Sequence, residues 1–187
     1  EDCSGECDGS AVEDECGVCG GDNACSAAAL SLGSFDASGS LEVLYDFGGS
    51  VAGFQFDVTG LDLSGASGGA ASDAGFTVST APGSETVLGF SFTGSEIAAG
   101  SGVLTVLSFS SVTDSSTELS MGWSGAITDA SGNVYDATAS GSVDHGDPDC
   151  SGTYYGDAVV DECGECGGLG IADGACDCDG NVNDCAG

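Results

Sequence analysis

Hydrophobic and polar residues alternate along the middle of the chain, in short runs that are separated by clusters of glycine, serine, aspartate and asparagine. Alternation with a period of two is typical of β-strands that bury one face. Segment 103–109 is almost continuously apolar, which predicts a central strand of a sheet. The alternating runs hold the apolar residues Leu41, Val43, Tyr45 and Phe47; Phe54, Phe56 and Val58; Leu88, Phe90 and Phe92; and Leu119, Met121 and Trp123.

The clusters between these runs are typical of turns, because glycine, serine, aspartate and asparagine adopt the backbone conformations that turns require. They lie at 48–50, 64–69, 99–102 and 129–133. About eight or nine short strands joined by such turns predict an all-β fold, a jelly-roll-type sandwich of two sheets. The central segment, roughly 118 residues long, can bury a hydrophobic core without cross-links.

The cysteines divide the chain into three parts. Five lie in residues 1–25, none in 26–143 and six in 144–187. We therefore predict an N-terminal cassette (1–25), a β-sandwich domain (26–143) and a C-terminal cassette (144–187). This cysteine usage is typical of an oxidising compartment, which predicts an extracellular or cell-surface protein. The chain begins at Glu1 rather than Met, and we expect a mature fragment whose export signal has been removed.

The two cassettes are copies of one sequence. Residues 2–21 align with residues 149–168 without a gap, and both contain Asp-Glu-Cys-Gly-x-Cys-Gly-Gly. Self-similarity of this density indicates an internal repeat. In this alignment Cys7 faces Tyr154, so Cys7 is the unmatched cysteine. Its thiol is free, bonded to a segment removed upstream or bonded to another molecule, and we favour a partner outside its own cassette.

Each cassette contains a Cys-Gly-x-Cys pair, for which three interpretations compete. The pair is typical of a zinc site, of a redox centre or of a disulfide framework. The N-terminal pair has no histidine nearby and each cassette has few apolar residues, so we favour disulfides, which order segments that cannot fold by burial alone. The predicted disulfide cysteines are Cys3, Cys16, Cys19, Cys25, Cys150, Cys163, Cys166, Cys176, Cys178 and Cys185.

The charge of the chain has one sign. The sequence holds 31 Asp and Glu residues and no Lys or Arg, which gives a formal net charge of −31. Such a chain has nothing to neutralise phosphates, which excludes nucleic acid and an anionic membrane surface as partners. Uncompensated carboxylates favour a hard divalent cation, and we predict calcium as the cofactor. The predicted ligands are Asp177, Asp179, Asn181, Asn183, Asp184, Asp14, Asp161, Asp2, Asp8, Asp22 and Asp149.

Short motifs of the central segment resemble a known family of modules. Segments 51–58, 102–109 and 126–133 are similar to the sandwich of cohesins and related cellulose-binding modules. The resemblance implies a nine-stranded jelly roll that binds a dockerin in extracellular assemblies. The cassettes resemble thrombospondin type 3 repeats and the cysteine-rich repeats of secreted bacterial surface proteins. That resemblance implies calcium ligands at Asp177, Asp179 and Asn181, and also at Asp14 and Asp161.

Catalysis is not expected from this sequence. The single histidine, His145, lies in a turn-like junction, and the serines lack the context of a catalytic triad. We predict a structural subunit of an extracellular filament, sheath or surface array, polymerised head to tail through its calcium-bound cassettes. The alternative is a cohesin-like binding module for a dockerin-type protein or a polysaccharide.

Overall fold

The structure is a computed structural model that describes residues 2, 3, 5, 9–12, 27–81 and 83–182. Within these residues the chain forms eleven β-strands and one short helix. No helix in this part of the chain is long and apolar enough to cross a membrane. The elements are β1 (Ala27–Asp36), β2 (Ser40–Phe47), β3 (Gly53–Val58), β4 (Leu61–Ser67), α1 (Gly69–Asp73), β5 (Thr77–Thr80), β6 (Thr86–Phe90), β7 (Gly100–Val112), β8 (Ser116–Ser120), β9 (Ala126–Thr128), β10 (Asp136–Ser140) and β11 (Ser142–Asp144).

The strands form two sheets. The first has the order β10-β1-β2-β7-β4, and the second has the order β11-β8-β3-β6-β5, with β9 also paired to β3. Neighbours are antiparallel except β1 and β10, which run parallel, with Ala27 opposite Asp136. The prediction of an all-β, two-sheet sandwich is confirmed. Strand β7 lies between β2 and β4, as its continuous apolar sequence predicted.

The hydrophobic core lies between the sheets and comes from alternate residues of the strands. Leu41 and Val43 of β2 are fully buried, as are Phe56 and Val58 of β3. Phe54, also of β3, stacks against Phe76 with ring centroids 6.0 Å apart. These buried aromatic and aliphatic side chains supply the main favourable free energy of folding, about 1.5–3 kcal/mol each.

The large side chains of strand β6 do not face the core. Val87 and Gly89 point inward, and a Cβ atom at position 89 would overlap the ring of Phe54. Leu88 and Phe90 consequently lie on the outer face of the second sheet. The apolar run at 88–92 thus predicted a strand correctly, but its side chains are not part of the core.

The strand count exceeds the expected eight or nine because some strands carry no large apolar side chains. Strands β10 and β11 consist of small and polar residues apart from Val143. Backbone hydrogen bonds place them in the sheets, and Ala137 and Ala139 of β10 are only partly buried against the core. Hydrophobic periodicity therefore gave no signal for them.

Candidate functional site

The outer face of the second sheet carries exposed aromatic residues. Phe92, which follows β6, is 83% exposed, and Leu88 is 41% exposed. Phe90 is half-buried and contacts Phe92 edge to face, with centroids 4.9 Å apart and an interplanar angle of 85°. An exposed cluster of large apolar side chains on a water-soluble surface is typical of an interaction site.

Trp123 belongs to the same side of the sheet. It is fully exposed and precedes Ser124 in the loop between β8 and β9. The side-chain amide of Gln55 donates to the Ser124 carbonyl at 3.1 Å and lies 2.7 Å from its hydroxyl. Gln55 is paired with Leu88 on the neighbouring strand. We call Leu88, Phe90, Phe92 and Trp123 the aromatic face.

Acidic residues lie beside the aromatic face. Asp57, two residues after Gln55 on β3, accepts a hydrogen bond from the Thr86 hydroxyl at 2.8 Å. Glu118 of β8 is exposed on the same side of the sheet. Since the sequence holds no Lys or Arg, no side-chain cation of these types offsets these carboxylates. This side of the sheet therefore carries both exposed apolar side chains and carboxylates.

The C-terminal cassette is built on aspartates whose carboxylates accept backbone N–H groups. Asp149 Oδ1 accepts from the N–H of Ser151 at 2.9 Å and of Thr153 at 3.0 Å. Its Oδ2 accepts from the N–H of Ala158 at 3.0 Å. One side chain thus closes a loop of ten residues.

The same loop recurs twelve residues later. Asp161 Oδ1 accepts from the N–H of Cys163 and of Glu165, each at 2.9 Å, and Oδ2 accepts from Gly170 at 2.8 Å. In the N-terminal cassette, Asp2 Oδ2 accepts from the N–H of Ala11, nine residues later, at 3.1 Å. We call this element the carboxylate unit and number its positions from the aspartate.

Two glycines define the carboxylate unit in sequence. Position 4 has a positive φ of 82° to 87° in the units of the described residues, which favours glycine. At position 8 a Cβ atom would overlap the carboxylate, so only glycine fits. The resulting pattern, Asp-x-x-Gly-x-x-x-Gly, begins at Asp2, Asp149 and Asp161, and in sequence also at Asp14, outside the described residues.

Hydrogen bonding keeps these carboxylates ionised. The pKa of Asp149 is lowered to about 2, chiefly by the Ser151 hydroxyl and then by the N–H of Thr153. The pKa of Asp161 is lowered by the N–H groups of Glu165 and Gly170. In a chain without Lys or Arg, backbone N–H groups therefore stabilise negative charge locally.

Replacing Asp149 by asparagine is expected to open the first carboxylate unit, because an amide NH₂ would then face the N–H of Ala158. We expect several-fold faster cleavage of residues 149–158 by a nonspecific protease, with Asp147→Asn as an exposed control that cleaves like the parent. The folded-state pKa of about 2 lies below the ordinary 3.8. The stabilisation is therefore present above pH 3.8 and lost as the pH falls towards 2. Equal cleavage of both variants would contradict the role of Asp149.

Two of the predicted calcium ligands, Asp177 and Asn181, contact each other in the C-terminal cassette. Asp177 Oδ1 accepts from the N–H of Asp179 at 3.1 Å and of Asn181 at 3.0 Å, and the Asn181 amide donates to Asp177 Oδ2 at 2.6 Å. Within the described residues no three His, Cys, Asp or Glu side chains converge as a metal site. Calcium binding stays a prediction. Asp8, Asp14, Asp22, Asn183 and Asp184 lie outside the described residues.

The C-terminal cysteines form disulfide bonds. Cys150 bonds Cys166, and Cys163 bonds Cys178, with Cα atoms 5.5 Å apart in both pairs. The two members of this Cys-Gly-x-Cys pair thus have different partners, which fits a framework rather than a redox centre or zinc site. Cys3 and Cys176 are also disulfide-bonded. Cys7, Cys16, Cys19, Cys25 and Cys185 lie outside the described residues.

His145 joins the C-terminal cassette to the sandwich. It is only 7% exposed, and its Nε2 and Nδ1 lie 2.8 Å from the hydroxyls of Thr117 on β8 and Tyr155 in the cassette. Its ring packs on Phe35 with centroids 4.8 Å apart. Burial lowers the pKa of His145, which favours the neutral ring. The histidine that the sequence placed in a turn-like junction is thus a buried packing residue.

No family model matches this chain, and no curated protein matches it. Its fold is similar to a non-cellulosomal cohesin from the hyperthermophilic archaeon Archaeoglobus fulgidus, at 18% identity and a TM-score of 0.43 over 62% of this chain and 88% of that chain. It is also similar to the sixth cohesin of Acetivibrio cellulolyticus scaffoldin B, solved with a mutant Cel5 dockerin, at 21% identity and a TM-score of 0.44 over 63% and 98% of the two chains. The similarity is one of fold. The thrombospondin-like character of the cassettes stays a prediction.

Proposed function

We propose that this protein is an extracellular binding module whose aromatic face binds a protein partner with an apolar centre and a basic rim. The carrying observation is the exposure of Phe92 and Trp123, at 83% and 101%, on one side of a sheet whose other side forms the core. Aromatic residues at the centre of an interface supply most of its binding free energy. A rigid sandwich presents them without a large ordering cost.

The charge of the chain determines which partner fits. At a net charge of −31, a partner with a basic rim gains electrostatic attraction, whereas an acidic partner is repelled. Asp57 and Glu118 place part of this negative charge beside the aromatic face. The attraction acts mainly on the association rate and weakens as salt rises.

A polysaccharide fits the aromatic face less well than a protein does. Sugar rings stack on flat aromatic surfaces, and a chain of sugars needs several rings in one plane. Phe90 and Phe92 are instead nearly perpendicular, at 85°. Edge-to-face aromatic pairs are ordinary components of protein–protein contacts.

The test uses designed helical peptides with a leucine face and either a lysine rim or a glutamate rim. We expect the lysine-rimmed peptide to bind in calorimetric titrations, and the Phe92→Ser/Trp123→Ser variant to bind about tenfold more weakly or worse. Val159→Ser/Leu169→Ser removes two exposed apolar residues of the C-terminal cassette and should bind like the parent. Equal losses in both variants would contradict a site at the aromatic face. Preference for soluble cellulose oligomers over the peptide would favour the polysaccharide alternative.

The filament subunit that we first predicted stays a prediction, and the cysteine count limits its form. The chain has 11 cysteines, so internal pairing of ten leaves one thiol. One thiol can join two chains covalently but cannot link a series of them. A filament would therefore depend on non-covalent contacts between subunits that repel one another.

A further inference from the structure

His145 makes the hydrogen bond between the sandwich and the C-terminal cassette. It directly follows β11, and its Nδ1 lies 2.8 Å from the Tyr155 hydroxyl. Within the part of the chain that the structure describes, no other hydrogen bond joins residues 149–182 to residues 27–145. Phe35 of β1 adds an aromatic contact, with its ring centroid 6.0 Å from that of Tyr155. The described contacts that attach the cassette to the sandwich therefore meet at the imidazole ring.

Tyr155 has a backbone conformation that glycine normally adopts. Its φ is 58°, and among the described residues it is the only one other than glycine with a positive φ. It occupies position 7 of its carboxylate unit, and position 7 of the next unit is Gly167, with a φ of 68°. A bulky residue adopts this conformation only at a cost in free energy. The contacts of Tyr155 with His145 and Phe35 offset this cost only while the cassette is attached.

The neutral form of His145 fits its two hydroxyl partners. A neutral imidazole donates from one nitrogen and accepts at the other, and the hydroxyls of Thr117 and Tyr155 can each take the complementary role. Both lie 2.8 Å from their ring nitrogens. In the protonated ring both nitrogens donate, so one hydroxyl must turn its hydrogen away. The positive charge would also lie in a site that is only 7% exposed.

The charged groups near His145 do not offset this cost. Among the described residues no carboxylate bonds the imidazole, and Asp144 of β11 accepts the N–H of residue 146 at 2.8 Å. Asp36 and Asp114, which adjoin the residues in contact with His145, accept N–H groups of their own turns. The titratable groups that the cassette brings to the ring are Tyr154 and Tyr155. Burial lowers the pKa of His145 by more than the charge of Asp144 raises it.

We propose that His145 and Tyr155 form a latch that holds the C-terminal cassette on the sandwich at neutral pH and releases it in mildly acidic surroundings. The pKa of His145 in the attached state lies below the ordinary 6.5. The attachment is therefore fully stabilised above pH 6.5 and weakens as the pH falls from 6.5 towards the lowered pKa. Asp149 stays ionised in this range, because its pKa is about 2. The cassette consequently leaves with its first carboxylate unit intact, on a linker of residues 146–148 that belongs to no strand.

Nuclear relaxation of backbone ¹⁵N atoms in the full chain tests the latch. It compares the rotational tumbling of residues 149–158 with that of β7. At pH 7.5 we expect one rotational correlation time for both, and at pH 5.0 a value for 149–158 that is about twofold shorter. His145 is the single histidine, and no other side-chain type of this chain has an ordinary pKa between 5 and 7.5. A common correlation time at both pH values would overturn the proposal.

Two variants assign the release to the latch. His145→Gln cannot take up a proton in this range, so the tumbling of residues 149–158 should be the same at both pH values. Tyr155→Gly removes the latch side chain and introduces the residue that the next unit has at position 7, so the cassette should tumble independently even at pH 7.5. Leu169→Ser, a change at a fully exposed residue of the cassette, should release like the parent. Release of the glutamine variant at pH 5.0, or attachment of the glycine variant at pH 7.5, would contradict the latch.

Discussion

Replacing Gly60 by alanine is expected to destabilise the sandwich by about 3–5 kcal/mol. Gly60 joins β3 to β4 with a φ of 78°, which alanine adopts at a cost of about 1–2 kcal/mol. A Cβ atom there would also overlap the carbonyl oxygen of Ser116 at the start of β8. Because that oxygen belongs to the backbone, it cannot turn aside as a flexible side chain would. The measurement is the free energy of unfolding from urea denaturation.

Gly83→Ala is the matched control for this variant. Gly83 has a φ of 71°, and a Cβ atom there would have no neighbour within 4 Å. Its expected loss is therefore the backbone cost alone, about 1–2 kcal/mol. Equal losses for Gly60→Ala and Gly83→Ala would show that the contact between the β3–β4 turn and β8 is not close.

Removing both described disulfides of the C-terminal cassette should unfold the cassette and leave the sandwich folded. None of residues 149–182 is buried, so this segment has no hydrophobic core of its own. Disulfides in such segments contribute about 2–5 kcal/mol by restricting the unfolded chain. We expect the variant with serine at positions 150, 163, 166 and 178 to lose hydrogen-exchange protection throughout residues 149–182.

The same exchange experiment contains its control. Strand β7 lies between β2 and β4 in the first sheet and buries Leu104 and Leu107, so its protection should match that of the parent. We expect a partial loss of hydrogen-exchange protection near β8, because Tyr155 would no longer contact His145. Collapse of protection in β7 would show that the sandwich depends on the cassette, which contradicts independent folding.

Hydrophobic periodicity predicted the sandwich because burial of alternate residues determines most of its strands. It correctly indicated the buried sides of β2 and β3, including Val43 and Phe56. At 88–92 it predicted a strand but not the buried side, since Leu88 and Phe92 are exposed and Val87 faces the core. Alternation shows which residues of a strand share a face. It does not show which face is buried, because that depends on the position of the opposite sheet. The position of the aromatic face therefore required the structure.

The cassettes were predictable in part. Their repeat and their disulfide character were visible in the sequence, and the bonds of Cys150 and Cys163 agree with them. The carboxylate unit was missed, although the spacing of Asp149 from Gly152 and Gly156 carried the signal. The aspartates suggested metal ligands because carboxylates in sequence do not reveal whether backbone N–H groups will reach them. The role of His145 was not predictable either, since Thr117 and Tyr155 meet it only through the tertiary fold.

Trp123 fluorescence tests the aromatic face most directly, because Trp123 is the single tryptophan of the chain and is fully exposed. The parent protein is titrated with the lysine-rimmed peptide, made without tryptophan, in the presence of acrylamide as a quencher. We predict a saturable blue shift of the emission and a several-fold loss of quenching, because the partner covers the indole ring. Absence of binding, or saturable binding that leaves Trp123 as accessible to acrylamide as before, would contradict a binding site at the aromatic face.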